Sequence, residues 1–168
     1  VIPPIFLAYL IFGLVKFKKL KLEVCLRLFI FGSLIVIPIV FVEQTIQPIL
    51  SDFTQSAFLT QLIGVALIEE LFKFSVVMFS VYNKDKFDAP IEAIVYVVMV
   101  GLGFALAENV AYVFQNQSIG FLVAILRMFT AIPMHALCGV FMGYFVGRAQ
   151  LEKDEQSSLI FLGLLSAI

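Results

Sequence analysis

The chain has no tryptophan, one histidine and two cysteines, and charged residues fill only 14% of its 168 positions. Each scarcity removes a class of protein. A single histidine excludes zinc sites of the HExxH type, which need two imidazoles one helical turn apart. Cys25 and Cys138 both lie in apolar runs, which excludes a secreted disulfide scaffold. The formal net charge is −1, and no basic patch is large enough to track phosphates, so nucleic acid is excluded as a partner. No aspartate falls within an apolar run, so a membrane-embedded aspartyl dyad is absent. No serine stands in a Gly-x-Ser-x-Gly setting, which disfavours serine hydrolysis.

What is abundant is apolar. Hydrophobic residues make up 62% of the chain and mean hydropathy is +1.08, against roughly 45–50% apolar in an ordinary soluble domain. A bilayer core about 30 Å thick is crossed by roughly 20 apolar helical residues. The apolar runs at about 1–15, 25–42, 56–82, 89–114 and 119–147 approach or exceed that length. The run at 158–168 reaches only about 16 Å as a helix. The reading is all-α: one transmembrane domain over 1–168, a polytopic membrane helical bundle of about six spans. The sixth span is incomplete and the first is trimmed, so the chain is expected to be a piece of a longer protein. No signal peptide is read, because the basic residues follow the first apolar stretch. No barrel-type alternation is present.

Nine of the eleven basic residues sit around alternate connectors: Lys16, Lys18, Lys19, Lys21 and Arg27 at the first, Lys84 and Lys86 at the third, Arg148 and Lys153 at the fifth. The second connector, with Glu43 and Asp52, has none, and neither does 115–118. This alternation places the basic connectors in the cytoplasm and the amino end outside. It also favours one long helix over 119–147, tilted or kinked at Pro133, over two short crossings.

Six ionisable groups remain inside the spans: Glu69, Glu70, Lys73, Glu108, Arg127 and His135. A charge at bilayer depth costs at least a few kcal/mol, so such groups face a protein interior or a wet cavity. Glu69 and Glu70 lie four and three residues before Lys73, and both reach its ammonium on one helix. A plain salt bridge explains one glutamate, but one cation leaves the second over. Phe104 and Glu108 share a face, and Asn109 follows; the bland reading is a polar pair bonding a neighbouring helix. The glycines of His135-Gly139-Gly143-Gly147 are read as a packing ladder. Arg127 is read as a counter-ion for a glutamate. The Cys138 thiol is a weak candidate nucleophile, because nothing in its surroundings lowers its pKa.

The chemistry left standing is hydrolysis by a glutamate-activated water, with a histidine donating to the oxyanion or the leaving amine. No cofactor is expected. The donor types also suit a divalent ion such as zinc, held by Glu70, Glu108 and His135.

These residues carry a resemblance. Glu69-Glu70-x-x-Lys73, Gly101-x-Gly103-Phe104-Ala-x-Ala-Glu108-Asn109-x-x-Tyr112, then Arg127 and His135, resemble the motifs of PrsW-type intramembrane proteases, distant relatives of the CAAX prenyl endopeptidases. The resemblance implies an integral membrane endopeptidase of glutamic type in a bacterial plasma membrane. Its substrate would be a membrane-anchored protein such as an anti-sigma factor, cut on the extracytoplasmic side. It also implies Glu69 or Glu70 as base; the two lie about 100° apart on a helix, so only one points at a given water, and Glu69 is preferred with Glu70 as its structural partner. Glu108 would help to hold the water and His135 would face the oxyanion. Glu108 stands where the CAAX enzymes have a histidine, and Gly139 where they have an asparagine; Asn109 is a substitute at the oxyanion site. Two other functions compete. Buried Glu, Lys, Arg and His also build proton-coupled transporters, though no inverted repeat is present. A scaffold that binds helices through the glycine ladder would need no chemistry.

Overall fold

The computed structural model describes residues 2–14, 20–82 and 89–168. Nine α-helices run through them: α1 (Ile2–Leu14), α2 (Leu22–Leu34), α3 (Val36–Phe53), α4 (Ala57–Gln61), α5 (Leu67–Val77), α6 (Pro90–Gln115), α7 (Gly120–Phe129), α8 (Ala131–Leu151) and α9 (Gln156–Leu165). No strand occurs among the described residues. Several of these helices join end to end, so the nine form six rods. Three are long and apolar enough to cross a bilayer: Leu22–Phe53, Pro90–Gln115 and Gly120–Leu151. The connectors holding Lys16, Lys18, Lys19, Lys84 and Lys86 lie outside the described residues.

Two rods are jointed, and proline accounts for both joints. A proline inside a helix lacks an N–H and its ring presses on the carbonyl four residues back. Pro38 and Pro133 direct that pressure at Leu34 and Phe129, and the helix breaks at the next residue, Ile35 or Thr130. Residues 120–151 thus form one bent rod, jointed three residues before the expected Pro133.

The second rod departs from expectation in length. The sequence ends a span near Val42 and puts Glu43 in a connector, whereas α3 continues to Phe53. Glu43, Gln44 and Gln47 face a cavity there (below), so these polar residues need not end the helix. The connector shrinks to residues 54–56. Thr54 is extended, and the Ser56 hydroxyl accepts a hydrogen bond from the Leu59 N–H at 3.4 Å, capping α4.

α6 is apolar on every face around its middle and is buried almost without interruption from Ala93 to Ala105. Glycines admit its neighbours. A β-carbon on Gly139, Gly143 or Gly147 of α8 would lie 3.0, 2.5 or 2.7 Å from the Cα of Val98, Ile94 or Pro90, so the glycine ladder is an antiparallel seam against α6. On another side, β-carbons at Gly32 and Gly103 would collide with the carbonyls of Val100 and Phe29. The Ser33 hydroxyl donates to the Gly103 carbonyl at 2.9 Å across that α2–α6 seam. Small residues at contact positions are how helices associate in lipid, where apolar burial provides little drive. The outer surface carries large apolar side chains such as Phe41, Phe79 and Phe121, the last 81% exposed, a surface suited to lipid and not to water.

Candidate active site

Four consecutive helices, α5 to α8, contribute to one polar cluster. A wide π-helical stretch (Leu62–Ala66) leads into α5 just before the two glutamates; such turns recur at functional sites. Gly64 within it leaves room for Leu50 and Gln47 of α3, 3.1 and 3.4 Å from where its β-carbon would stand. Glu69, Glu70 and Lys73 follow, all buried. The Lys73 ammonium donates to Glu69 Oε2 at 3.1 Å and to Glu70 Oε1 at 2.7 Å. It also stands 4.1 Å from the centroid of the Phe104 ring.

His135, in the second turn of α8, joins this group to the rest. Its Nδ1 lies 3.1 Å from Lys73 Nζ and its Nε2 lies 2.9 Å from Glu108 Oε2. An ammonium has only protons to give, so Nδ1 accepts from it and the imidazole proton sits on Nε2, donating to Glu108. Two contacts hold the ring: Phe104 packs edge-on with centroids 5.1 Å apart, and Gly101 leaves space for the His135 carbonyl, 2.8 Å from its would-be β-carbon. Glu108 also accepts from Arg127 at 2.5 Å, and Arg127 Nε donates to Asn109 Oδ1. The Arg127 guanidinium lies over the Tyr112 ring at 4.0 Å.

The result is an unbroken path of hydrogen bonds, Glu69–Lys73–His135–Glu108–Arg127–Asn109. When ionised, Glu69, Glu70 and Glu108 face two permanent cations among the described residues, Lys73 and Arg127. The cluster thus has one negative charge to spare, which a proton or a further cation satisfies.

A cavity of about 330 Å³ adjoins this path. Glu69, Phe104 and Glu108 form part of its wall, and Glu43, Gln47 and Tyr112 continue it. Glu70 and His135 do not line it. The family described as "PrsW family intramembrane metalloprotease" matches residues 21–168. The chain belongs to the PrsW family.

Among PrsW relatives, Protease PrsW of Oceanobacillus iheyensis is 37% identical over 141 residues, covering 83% of this chain and 63% of that protein. Protease PrsW of Geobacillus kaustophilus is 37% identical over 152 residues, covering 89% and 64%. That of Bacillus subtilis is 30% identical over 140 residues, covering 83% and 62%. The chain therefore spans less than two thirds of the length of these PrsW proteins. No solved structure matches it.

The family description implies a metal, and the donors can be tested for it. One oxygen each of Glu69 and Glu70 and one ring nitrogen of His135 lie within 4.8 Å of one another. Two carboxylates and an imidazole suit zinc in type and number, so the residues fit. The set differs from the one expected from sequence: Glu69 takes the place of Glu108, which lies across the imidazole on its Nε2 side. Lys73 Nζ makes its bonds to these same three side chains, so a metal held there would compete with the ammonium for them.

Asn109 is turned toward Arg127 and lies outside the Glu69 cavity. Cys138 is a free thiol packed against the apolar cluster around Val100 and Met142. Sequence reasoning missed Glu43 and the glutamines beside it. Their spacing, Glu43-Gln44-x-x-Gln47 with Glu43 and Gln47 one turn apart, was the available signal.

Proposed function

We propose that this PrsW-family chain is an intramembrane endopeptidase that hydrolyses a peptide bond of a membrane-anchored protein with a glutamate-activated water. The observation that carries the reading is the pair of carboxylates, Glu69 from α5 and Glu108 from α6, on the wall of one cavity and linked behind it by Lys73 and His135. Two carboxylates at opposite ends of a hydrogen-bonded path supply a base and an acid to one reaction.

Glu69 is the base and Glu70 its structural partner, because Glu69 reaches the cavity and Glu70 is spent on Lys73. Glu69 takes a proton from the water as its oxygen attacks the carbonyl carbon. Both His135 nitrogens are engaged, so the imidazole acts through Glu108 and not directly on the oxyanion. Lys73 passes a proton to Nδ1, Nε2 passes one to Glu108, and Glu69 replenishes Lys73. Glu108 then protonates the leaving nitrogen as the C–N bond breaks, and the water's proton is accounted for. A divalent ion held by Glu69, Glu70 and His135 would instead supply Lewis-acid polarisation and an easily ionised water; the family description and the three-residue donor set support this as a second reading.

The substrate class follows from the setting: an enzyme buried in lipid meets single-span proteins, and an anti-sigma factor is one such protein. The alternation of basic connectors in the sequence supports an extracytoplasmic side, in a bacterial plasma membrane, for the cavity end of the bundle with the 54–56 and 116–119 turns. Reconstitution in vesicles with candidate single-span substrates tests the proposal. The parent chain should cleave and Glu69→Gln should not. Equal cleavage by both would refute it, and proton-coupled solute flux without cleavage would favour a transporter.

A further inference from the structure

We propose that the cavity between α3, α4 and α6 holds an unwound, extended stretch of the substrate's main chain, bound through side-chain amides. This deepens the peptidase reading and rests on it. Gln44, Gln47, Gln61 and Gln115 line the cavity together with Glu43. Glu43 Oε1 is buried and has no hydrogen-bond partner among the described residues. Four neutral amides and an unsatisfied acceptor thus face one cavity from α3, α4 and α6.

The chemistry of that lining selects its occupant. A carboxamide carries N–H donors and a carbonyl acceptor, the same groups as a peptide unit. A substrate helix in lipid has its peptide groups bonded internally, and a scissile bond becomes reachable only when a turn opens. The freed N–H and C=O groups then need partners at once, because lipid supplies none. An apolar wall would leave them bare. A wall of fixed charges would select ions. Amides at adjustable rotamers serve both halves of each peptide unit regardless of side-chain identity, and the spare Glu43 oxygen accepts from an N–H.

The placement agrees with this. Along α5 and α6, Glu69 and Glu108 line the cavity further from the 54–56 and 116–119 turns than Gln61 and Gln115 do, and Gln47 lies toward those turns on α3. Between Phe104 and Gln115, α6 advances about 16 Å, the length of about five extended residues. A strand laid along α6 from Phe104 therefore passes the two carboxylates and reaches the turns at the end of the bundle.

Binding can be measured apart from cleavage. The Glu69→Gln chain is reconstituted in phosphatidylcholine vesicles with three dye-labelled synthetic peptides. One is an uninterrupted leucine–alanine span, the second carries a Gly-Pro-Gly break one third of the way along, and the third is the broken span with N-methylated main-chain amides around the break. Energy transfer reports association. The broken span should bind at least about tenfold more tightly than the uninterrupted one, the scale of one or two main-chain hydrogen bonds, and N-methylation should erase the gain. Gln44→Leu with Gln47→Leu should erase it too. The N-methylated peptide makes the same test with no change to these glutamines, so a folding failure of that variant decides nothing by itself. Equal binding of broken and uninterrupted spans, or a gain that survives N-methylation, overturns the proposal. Cleavage by the parent chain with no such preference also overturns it. A preference without cleavage leaves the cleft standing and sinks the peptidase reading instead.

Discussion

Lys73 Nζ stands 3.1 Å from His135 Nδ1, so an ammonium and an imidazole share one hydrogen bond inside the bundle. Two such bases beside each other would repel if both were charged. The contact is stable because Glu69 and Glu70 flank the ammonium and because Glu108, across the ring, accepts a hydrogen bond from the imidazole Nε2–H. Lys73 is thus more than a neutraliser of one helix. It joins the α5 carboxylates to α8, and through His135 to α6.

Removing it should therefore be expensive. In Lys73→Met, two buried carboxylates lose their shared cation, and breaking a buried pair by deleting one partner costs about 3–5 kcal/mol. Reversible unfolding in mixed micelles should show a loss of that order. Adding Glu70→Gln should recover part of it, a coupling that a double-mutant cycle measures. A loss below about 1 kcal/mol, the scale of an exposed pair, would show that the cluster is solvated.

The two glutamates should separate by readout. Glu69→Gln removes the cavity-facing carboxylate and should lower cleavage by about 10²- to 10⁴-fold, the span of general acid–base catalysis, with little change in unfolding. Glu70→Gln should lower stability first, and cleavage only as the folded fraction falls. Comparing cleavage per folded molecule, counted by size-exclusion or protease protection, checks the assignment. The reverse pattern would exchange their roles.

Ammonium and metal draw on the same donors, which yields a prediction independent of turnover. Lys73→Met should retain more cobalt or zinc per chain after dialysis than the parent, by elemental analysis, and cobalt should show the visible absorption of a tetrahedral site. Adding Glu70→Gln should abolish retention. Equal metal content in parent and Lys73→Met would mean that Lys73 does not compete for the site.

The helical bundle was legible because twenty-residue apolar runs leave few alternatives, and the charged cluster because Glu69, Glu70, Lys73, Glu108, Arg127 and His135 are conspicuous in lipid. The direction in which each one points was not legible. Glu69 and Glu70 are neighbours in sequence, and only the packing of α3 and α6 decides which meets the cavity. Glu43 was hidden for a different reason. Charge counting places a glutamate followed by Gln-Thr at a membrane surface, and only a facing cavity explains why the helix runs on to Phe53. Sequence also located the proline bend of the fifth rod to within three residues, since ring pressure falls on the turn before the proline.

The glycines provide the last prediction, because they differ in what a side chain would strike. Gly13 has nothing within 4 Å of its would-be β-carbon, so Gly13→Ala should be neutral or stabilising by up to about 1 kcal/mol, the helix preference of alanine. At Gly143 the β-carbon would lie 2.5 Å from the Ile94 Cα, which is main chain and cannot turn aside. Gly143→Val should cost about 1–3 kcal/mol or more by overpacking, and cleavage should fall only with the folded fraction. Gly101→Ala lies between these. Its β-carbon would sit 2.8 Å from the His135 carbonyl oxygen, and the gain in helix preference of about 1 kcal/mol offsets part of the clash. The remaining strain is relieved by shifting the start of α8, which carries His135 away from Lys73 and Glu108. Misplacing such a group by about 1 Å can cost roughly a hundredfold in rate. Gly101→Ala should therefore unfold nearly like the parent and yet cleave at least about tenfold more slowly per folded molecule, whereas parent-like cleavage would show that the imidazole's position is not critical.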